Sequence, residues 1–338
     1  MGSLALRGFC VCGSGEVPPE RVADSLRSDG AVASRISAFW GQEDTCMEYV
    51  NYSAQLKKNS LRSVARHLVL DGLAAFWRFT GRIDRGLSRP RVHFLYLHHV
   101  FPDEIKGFRR LIEMLIENGQ TIISYSEAVG RVHRGAIDRS YICFSFDDGI
   151  ANNLAAAEVL AEYNISACFF LNSGIVGEMS ADKVLEHCRV RFFGSPLLRF
   201  LDWDDVSRMQ SLGHEIGGHT STHVNMRDTP EPELRREIEQ DREVLIRRCG
   251  EIHHFSWPYG RFIHFSLQAK RMVFAIGYKS VASAVRGCHV AENRQPCLRR
   301  ENIVATWPLA HAKFFMARSS LASSSSDNGW GGLERRPV

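Results

Sequence analysis

The 338-residue sequence has no apolar run approaching the roughly 18 residues that a membrane-spanning helix needs. It has no surplus of one charge either: 42 Lys and Arg stand against 38 Asp and Glu, a formal net charge of +4. With no basic run interleaved with aromatics, no nucleic-acid partner is expected. Nine cysteines are present, an odd number, and they lack paired spacing. Only Cys10 and Cys12 lie close together, and no second pair follows to complete a zinc ribbon. Cys143 and Cys168 sit in apolar, strand-like runs, where cysteine behaves as a small hydrophobe. Free thiols in a reducing compartment are therefore expected rather than a disulfide framework. The stretch from Met1 to Cys10 has too short an apolar core for a secretory signal and lacks the Ser or Thr at position six of a myristoylation motif. The expected location is the cytoplasm or the periphery of an inner membrane.

What remains is ordinary globular composition, 44% apolar and 24% charged, enough for one large α/β domain with extensions. Residues 1–55 carry little periodicity and are expected to be a poorly ordered or accessory extension. Residues 56–90 read as an amphipathic helix and linker. Leu61, Val64, Leu68 and the cluster Leu73, Phe76, Trp77 recur at helical spacing, with Arg62, Arg66 and Arg78 adding positive charge. Such a helix is more often packed on its own domain, but residues 60–80 also admit a peripheral membrane contact.

From residue 91 to 305 the pattern alternates. Apolar strand candidates such as Val92–Leu97, Tyr141–Phe146 and Ala167–Leu171 are separated by helices ending at Gly119, Gly213, Gly250 and Gly277. Repeated βα units predict a mostly parallel sheet, and about seven of them favour an irregular (β/α)7-type barrel with an N-terminal helical extension. Residues 306–338, Ser-rich from Ser319 onward, are expected to be a largely disordered extension.

Three motifs fall at the C-terminal ends of predicted strands, where parallel α/β proteins place their chemistry. In Phe144-Ser-Phe-Asp147-Asp148-Gly149, two adjacent carboxylates follow a hydrophobic strand, a costly pairing unless a cation or a shared proton relieves it. In His219-Thr-Ser-Thr-His223, two imidazoles four residues apart can meet one ion. In Phe255-Ser-Trp257-Pro258-Tyr259-Gly260, proline and glycine fix a tight loop, and the aromatics offer a face for stacking. Each is weak alone. One carboxylate and two imidazoles with open positions make a sensible catalytic metal site.

In this order the motifs resemble those of the polysaccharide deacetylase family, also called NodB-like or carbohydrate esterase family four. The run Leu201–His223 extends the resemblance through the second motif, and Tyr96-Leu-His98-His99-Val100 resembles a segment of one bacterial subgroup with an aromatic-Pro-Tyr-Gly motif. The resemblance implies a NodB-like barrel and metal-assisted hydrolysis of an N-acetyl group on a glycan. It makes Asp147 the general base and Asp148, His219 and His223 the ligands of one divalent ion, zinc first, with Co, Ni or Fe also suited. Thr220 would support the ligand loop, and the Tyr259 N–H, with Trp257 and Pro258 around it, would face the developing oxyanion and the substrate. Leu309-Ala-His311 fits the letters of the family's late Leu-x-His motif, making His311 the expected acid; His98 is a second candidate for contact with substrate. Many members carry an arginine at the position of Ser256 that pairs with the base. Here it is absent, and the sequence offers no evident replacement. Two other readings stay open: hydrolysis of a non-sugar amide or formyl group on the same fold, and a catalytically silent glycan-binding module.

Overall fold

The computed structural model describes residues 48–56, 61–192, 197–292, 297–322 and Trp330. The chain divides into two units, Met1–Tyr49 and Val50–Val338. The first lies almost wholly outside the described residues, as do Cys10, Cys12 and most of the expected extension over 1–55.

Within the second unit the elements alternate. After helices α1 (Leu61–Phe79) and α2 (Arg82–Leu87) come β1 (Arg91–Leu97), α3 (Ile105–Glu117), β2 (Thr121–Ile122), α4 (Tyr125–Arg134), β3 (Ser140–Phe146), α5 (Asn153–Glu162) and β4 (Ala167–Leu171). They are followed by α6 (Ala181–Arg191), α7 (Trp203–Ser211), β5 (Glu215–Gly218), α8 (Glu231–Cys249), β6 (His254–Ser256), α9 (Leu267–Ala275), β7 (Ser280–Ala282), β8 (Cys297–Leu298), β9 (Arg300–Asn302) and α10 (Leu309–Ala322).

The strands pair in the order β8-β7-β6-β5-β4-β3-β1-β9, with β2 beside β3, and every pairing is parallel. The two ends of that path, β8 and β9, are separated in sequence by Arg299 alone. A sheet whose first and last strands are chain neighbours has to curl round on itself, so the strands form a nearly closed barrel, as the βα repetition predicts.

Alternation along the strands sorts the side chains. On β3, Tyr141 and Cys143 belong to the inner cluster with Val92, Phe94, Cys168 and Phe170, while Ile142, Phe144 and Phe146 pack outward under the helices. Cys143 and Cys168 are thus buried free thiols of the barrel interior. Carried one step past the strand end, the same period of two turns Asp147 inward. On β1 it turns Tyr96 and His98 inward, on β6 Ser256, and on β9 Arg300, which is in register with Phe94.

The expectation of a largely disordered tail from residue 306 needs correcting. Residues 309–322 form α10, whose Ala312, Phe314, Phe315, Met316 and Ala317 are buried. Its Phe314 and Phe315 pack with Ala74, Leu70, Leu73 and Trp77 of α1. The serines after residue 319 are polar, but the helix before them is apolar and has α1 as its partner. Residues 323–329 and 331–338 lie outside the described residues.

Candidate metal centre

Asp148, His219 and His223 converge at the mouth of the barrel, all three buried, with one ligand atom of each within 4.8 Å of the others. Asp148 Oδ1 lies 3.3 Å from Nε2 of both imidazoles. Three ligand atoms each about 2.1 Å from one ion in tetrahedral arrangement would stand about 3.4 Å apart, so the spacing fits a divalent cation. The tautomer fits as well. His219 Nδ1–H donates to the Ser256 carbonyl at 2.6 Å, which leaves Nε2 for a ligand bond. Burial works to raise the Asp148 pKa, yet hydrogen bonds from His219 and His223 hold it well below the usual carboxylate range. Burial works to lower that of His219, but the Asp148 hydrogen bond and the charge of Asp147 bring it above its ordinary value.

The backbone here is strained, and neighbouring elements hold it. Among the described residues, five non-glycine residues have positive φ: Asp148, Thr220, His223, Tyr259 and Asn164. Four of the five belong to the three motifs, a clustering typical of sites where geometry is imposed. Asn172, just past β4, donates to the carbonyls of His219 and Thr220 at 2.6 and 2.9 Å. From α8, Asp241 accepts the backbone N–H of His219 at 3.1 Å and that of Ser173 at 2.9 Å. Glu237, one turn earlier, accepts the Thr222 N–H and hydroxyl at 2.8 and 2.9 Å. Thr220 Oγ1 accepts the Val224 N–H, in keeping with its expected supporting part. Burial pushes the Asp241 carboxyl up to about 7, against the donors that favour its charged form. Sequence reasoning passed over Asp241 and Glu237 inside a strongly charged helix. Their signal was positional: with Leu234, Ile238 and Leu245 they make the buried stripe of α8.

Beside this cluster, Asp147 carries a different partnership. Arg300 of β9, wholly buried, grips it with two parallel bonds, Nη1 to Oδ1 at 2.8 Å and Nη2 to Oδ2 at 2.7 Å. Its other donors reach Ser145 Oγ (3.2 Å), Ser256 Oγ (2.9 Å) and the Ser283 carbonyl (2.7 Å), so all five N–H groups have acceptors. The guanidinium also lies 4.3 Å from the Tyr96 ring centre. Burial would raise the Asp147 pKa, but the charge and hydrogen bonds of Arg300 more than reverse this and keep it below the ordinary value. The arginine that the family resemblance expects at position 256 is therefore supplied from another strand, and the serine at 256 hydrogen-bonds to both partners.

Other expected site residues fare differently. His98 is half-buried, its ring 5.5 Å from Tyr96; burial lowers its pKa, while Asp148 and Asp147 act to raise it. It therefore lies within electrostatic reach of both carboxylates. His311 does not: it lies in α10, with Nε2 2.7 Å from Asp71 and its ring stacked on His67 of α1. The Leu-x-His letters fall on a helix of the outer layer, so His311 is corrected to a packing residue. Trp257 is fully buried, stacked on Phe265 at 4.3 Å with Trp330 beyond, and so offers no face to a sugar. Pro258 is buried next to it. Tyr259 stands edge-on to His223 with ring centres 4.7 Å apart, its hydroxyl donating to the Arg191 carbonyl. The loop holding it is pinned by Trp257 N–H to Ala282, Gly260 N–H to Trp257 and Ala284 N–H to Gly260.

Comparison with known proteins adds the following. Residues 134–280 match the family model described as polysaccharide deacetylase. A chitooligosaccharide deacetylase of Azorhizobium caulinodans is 28% identical over 162 residues, 46% of this chain and 64% of that protein. A peptidoglycan-N-acetylglucosamine deacetylase of Bacillus cereus is 28% identical over 151 residues, 44% of this chain and 46% of that protein. The chain thus spans less than two thirds of the length of either relative. The solved structure of IcaB from Ammonifex degensii superposes with a TM-score of 0.55 at 18% identity, covering 67% of this chain and 98% of that one, a likeness of fold. The matched stretch contains all three motifs, and over it the chain is similar to the polysaccharide deacetylase family.

Proposed function

We propose that the protein is a carbohydrate de-N-acetylase, hydrolysing the amide of an acetamido sugar in a bacterial glycan or glycan precursor with the help of one divalent cation, zinc in the first instance. The observation that carries this reading is the division of labour between adjacent aspartates. Asp148 joins two imidazoles in a cation-sized cluster, while Asp147, next in the chain, is kept ionised by a separate guanidinium. A binding module has no use for the second carboxylate. The relatives whose names specify chitooligosaccharide and peptidoglycan N-acetylglucosamine support the substrate class.

Asp148, His219 and His223 would hold the ion. When bound, it supplies Lewis acidity, acidifying a water and polarising the acetyl carbonyl. Asp147 takes the proton of the attacking water, its charge preserved by Arg300 so that it is basic at neutral pH. The backbone N–H of Tyr259 would face the oxygen on which negative charge develops. The proton that Asp147 has taken then passes to the departing amine, and His98, just past β1 and under the charge of both aspartates, would relay it.

The test is to reconstitute the purified chain with Zn, Co, Ni or Fe, count bound metal, and follow amine release from N-acetylglucosamine oligomers and lipid-linked acetamido sugars. One ion per chain with metal-dependent release is expected. Protein that takes up no metal, or that binds metal yet cleaves none of these sugars while opening another amide, would overturn the reading.

A further inference from the structure

Helix α1 has two apolar faces, and among the described residues only one of them is covered. Leu70, Leu73, Ala74 and Trp77 pack against Phe314 and Phe315 of α10. On the opposite side Leu61, Val64, Leu68, Phe76 and Phe79 are exposed, Leu61 and Phe79 at 91%. Their positions step by three and four residues, 61–64–68 and then, through Gly72, 76–79, so they form one stripe along a helix of 19 residues, about 28 Å long. A side chain at Gly72 would meet open space. Single exposed apolar residues mean nothing, but a continuous stripe of them marks a contact surface.

Charge indicates what the stripe meets. Residues 57–91 hold nine Lys and Arg (Lys57, Lys58, Arg62, Arg66, Arg78, Arg82, Arg85, Arg89, Arg91) and only Asp71 and Asp84 of opposite sign. Since the whole chain has 42 basic and 38 acidic residues, the rest has 33 against 36 and is net negative. All of the protein's positive excess therefore sits in and around this helix. Of the two acids, Asp71 is engaged with His311. Arg82 lies beside the exposed Phe76, 5.9 Å from its ring centre, an aromatic–guanidinium pairing suited to a boundary between apolar and polar layers. The stripe itself bears no group that hydrogen-bonds, and no described helix is long and apolar enough to cross a bilayer.

We propose that the exposed face of α1 is a docking surface for an anionic lipid bilayer: the helix lies flat, its apolar stripe entering between acyl chains while the flanking arginines meet acidic headgroups. α10 clamps the other face, so the barrel rides on the helix instead of hanging from a free segment. An apolar stripe bordered by one sign of charge suits a fluid anionic surface, since it asks nothing of its partner but acyl chains and negative charge.

The experiment is flotation of the full chain with phosphatidylglycerol–phosphatidylcholine vesicles, and with phosphatidylcholine vesicles alone, across a salt series. Binding to the anionic vesicles that weakens as salt rises is expected, with little to neutral ones. Leu68→Glu combined with Phe76→Glu, both exposed and so compatible with the fold, should cut the bound fraction about tenfold or more. Arg78→Glu with Arg85→Glu should remove the preference for acidic lipid. Unaltered melting temperatures in both variants would show that the fold is intact. The proposal is overturned if the wild-type chain ignores anionic vesicles, or if the Leu68, Phe76 variant binds them equally well. It is also overturned if light scattering finds a wild-type dimer that this variant converts to monomer, because a second copy would then cover the stripe.

Discussion

Replacing Arg300 tests the charge arrangement at the base most directly. In Arg300→Met the Asp147 carboxylate stays buried but loses both bonds of its bidentate partner. Breaking a buried ion pair from one side costs about 3–5 kcal/mol, on the order of 10 °C in melting temperature for a domain of this size. The pH dependence fixes the sign. In the native protein the Asp147 pKa is below its ordinary value, so its contribution is present above that value and disappears as pH falls through the depressed one. In the variant, burial is left without its main opponent and the pKa rises. A group with a raised folded-state pKa contributes fully below its unfolded value, and the contribution is lost as pH rises through the folded one. The stability gap between native and variant should therefore widen from acid toward neutral pH. The acid limb of kcat/KM should move up, because the base is now protonated where it was free. Thermal melts and pH–rate profiles on N-acetylglucosamine oligomers read both effects. The control is Ser256→Arg together with Arg300→Ala, which returns a guanidinium from β6; part of the native acid limb should come back. An Arg300→Met protein with an unshifted limb and a native melting curve at pH 7 would refute this account of the base.

Other substitutions separate the roles. Asp147→Asn should cut turnover by about 10²–10⁴-fold with the metal content of elemental analysis unchanged, whereas His219→Ala should lose both metal and turnover. Trp257→Ala should cost about 3–5 kcal/mol of stability by denaturant titration. A changed KM without destabilisation would return Trp257 to the substrate face. Gly218→Ala puts a Cβ 2.1 Å from the Tyr278 hydroxyl and 2.9 Å from Asp241 Oδ2, and should cost about 1–3 kcal/mol. Because Asp241 holds the His219 N–H, metal affinity by competition titration should fall too; unaltered affinity would argue against the positioning part given to Asp241.

The legible parts of the fold share a strong local pattern. Ala167–Leu171 runs as the strand its five apolar residues predict, and α7 begins at Trp203 behind the Asp202–Asp205 capping box. The convergence of Asp148, His219 and His223 was legible for the same reason: strand ends mark where loops begin, and all three residues lie within a few positions of such an end. Elements whose stability comes from outside themselves were not legible. β2 is only Thr121–Ile122, and Ser124 just beyond it caps α4 by accepting the Glu127 N–H. β9 reads Arg300-Glu301-Asn302, with no apolar residue to mark it. It is a strand because β1 pairs with it, and its charges are tolerable because each meets a partner: Arg300 meets Asp147, and Glu301 meets Arg286 at 2.6 Å. Missing the strand meant missing the arginine. His311 fails in the opposite way, since two matching letters carry no information about which layer a helix occupies.

That transposed arginine says something about what such a site requires. Inside a small barrel, inward positions on strands far apart in sequence lie close together: Ser256 on β6 and Arg300 on β9 both touch Asp147 Oδ2, at 3.3 and 2.7 Å. The base needs a guanidinium at one point in space, and geometry lets more than one strand deliver it. Asp148, His219 and His223 have no such freedom. Three donor atoms must meet within a few ångströms, and two of the three residues do so with left-handed backbone that costs about 1–3 kcal/mol each. Asn172, Glu237 and Asp241 hold the His219–His223 turn from β4 and α8, so moving a ligand to another strand would mean rebuilding those supports as well. A cluster of this kind thus stays where its loop is braced, while a charge partner can change strands; this is why sequence motifs located the Asp148, His219 and His223 cluster and passed over the arginine.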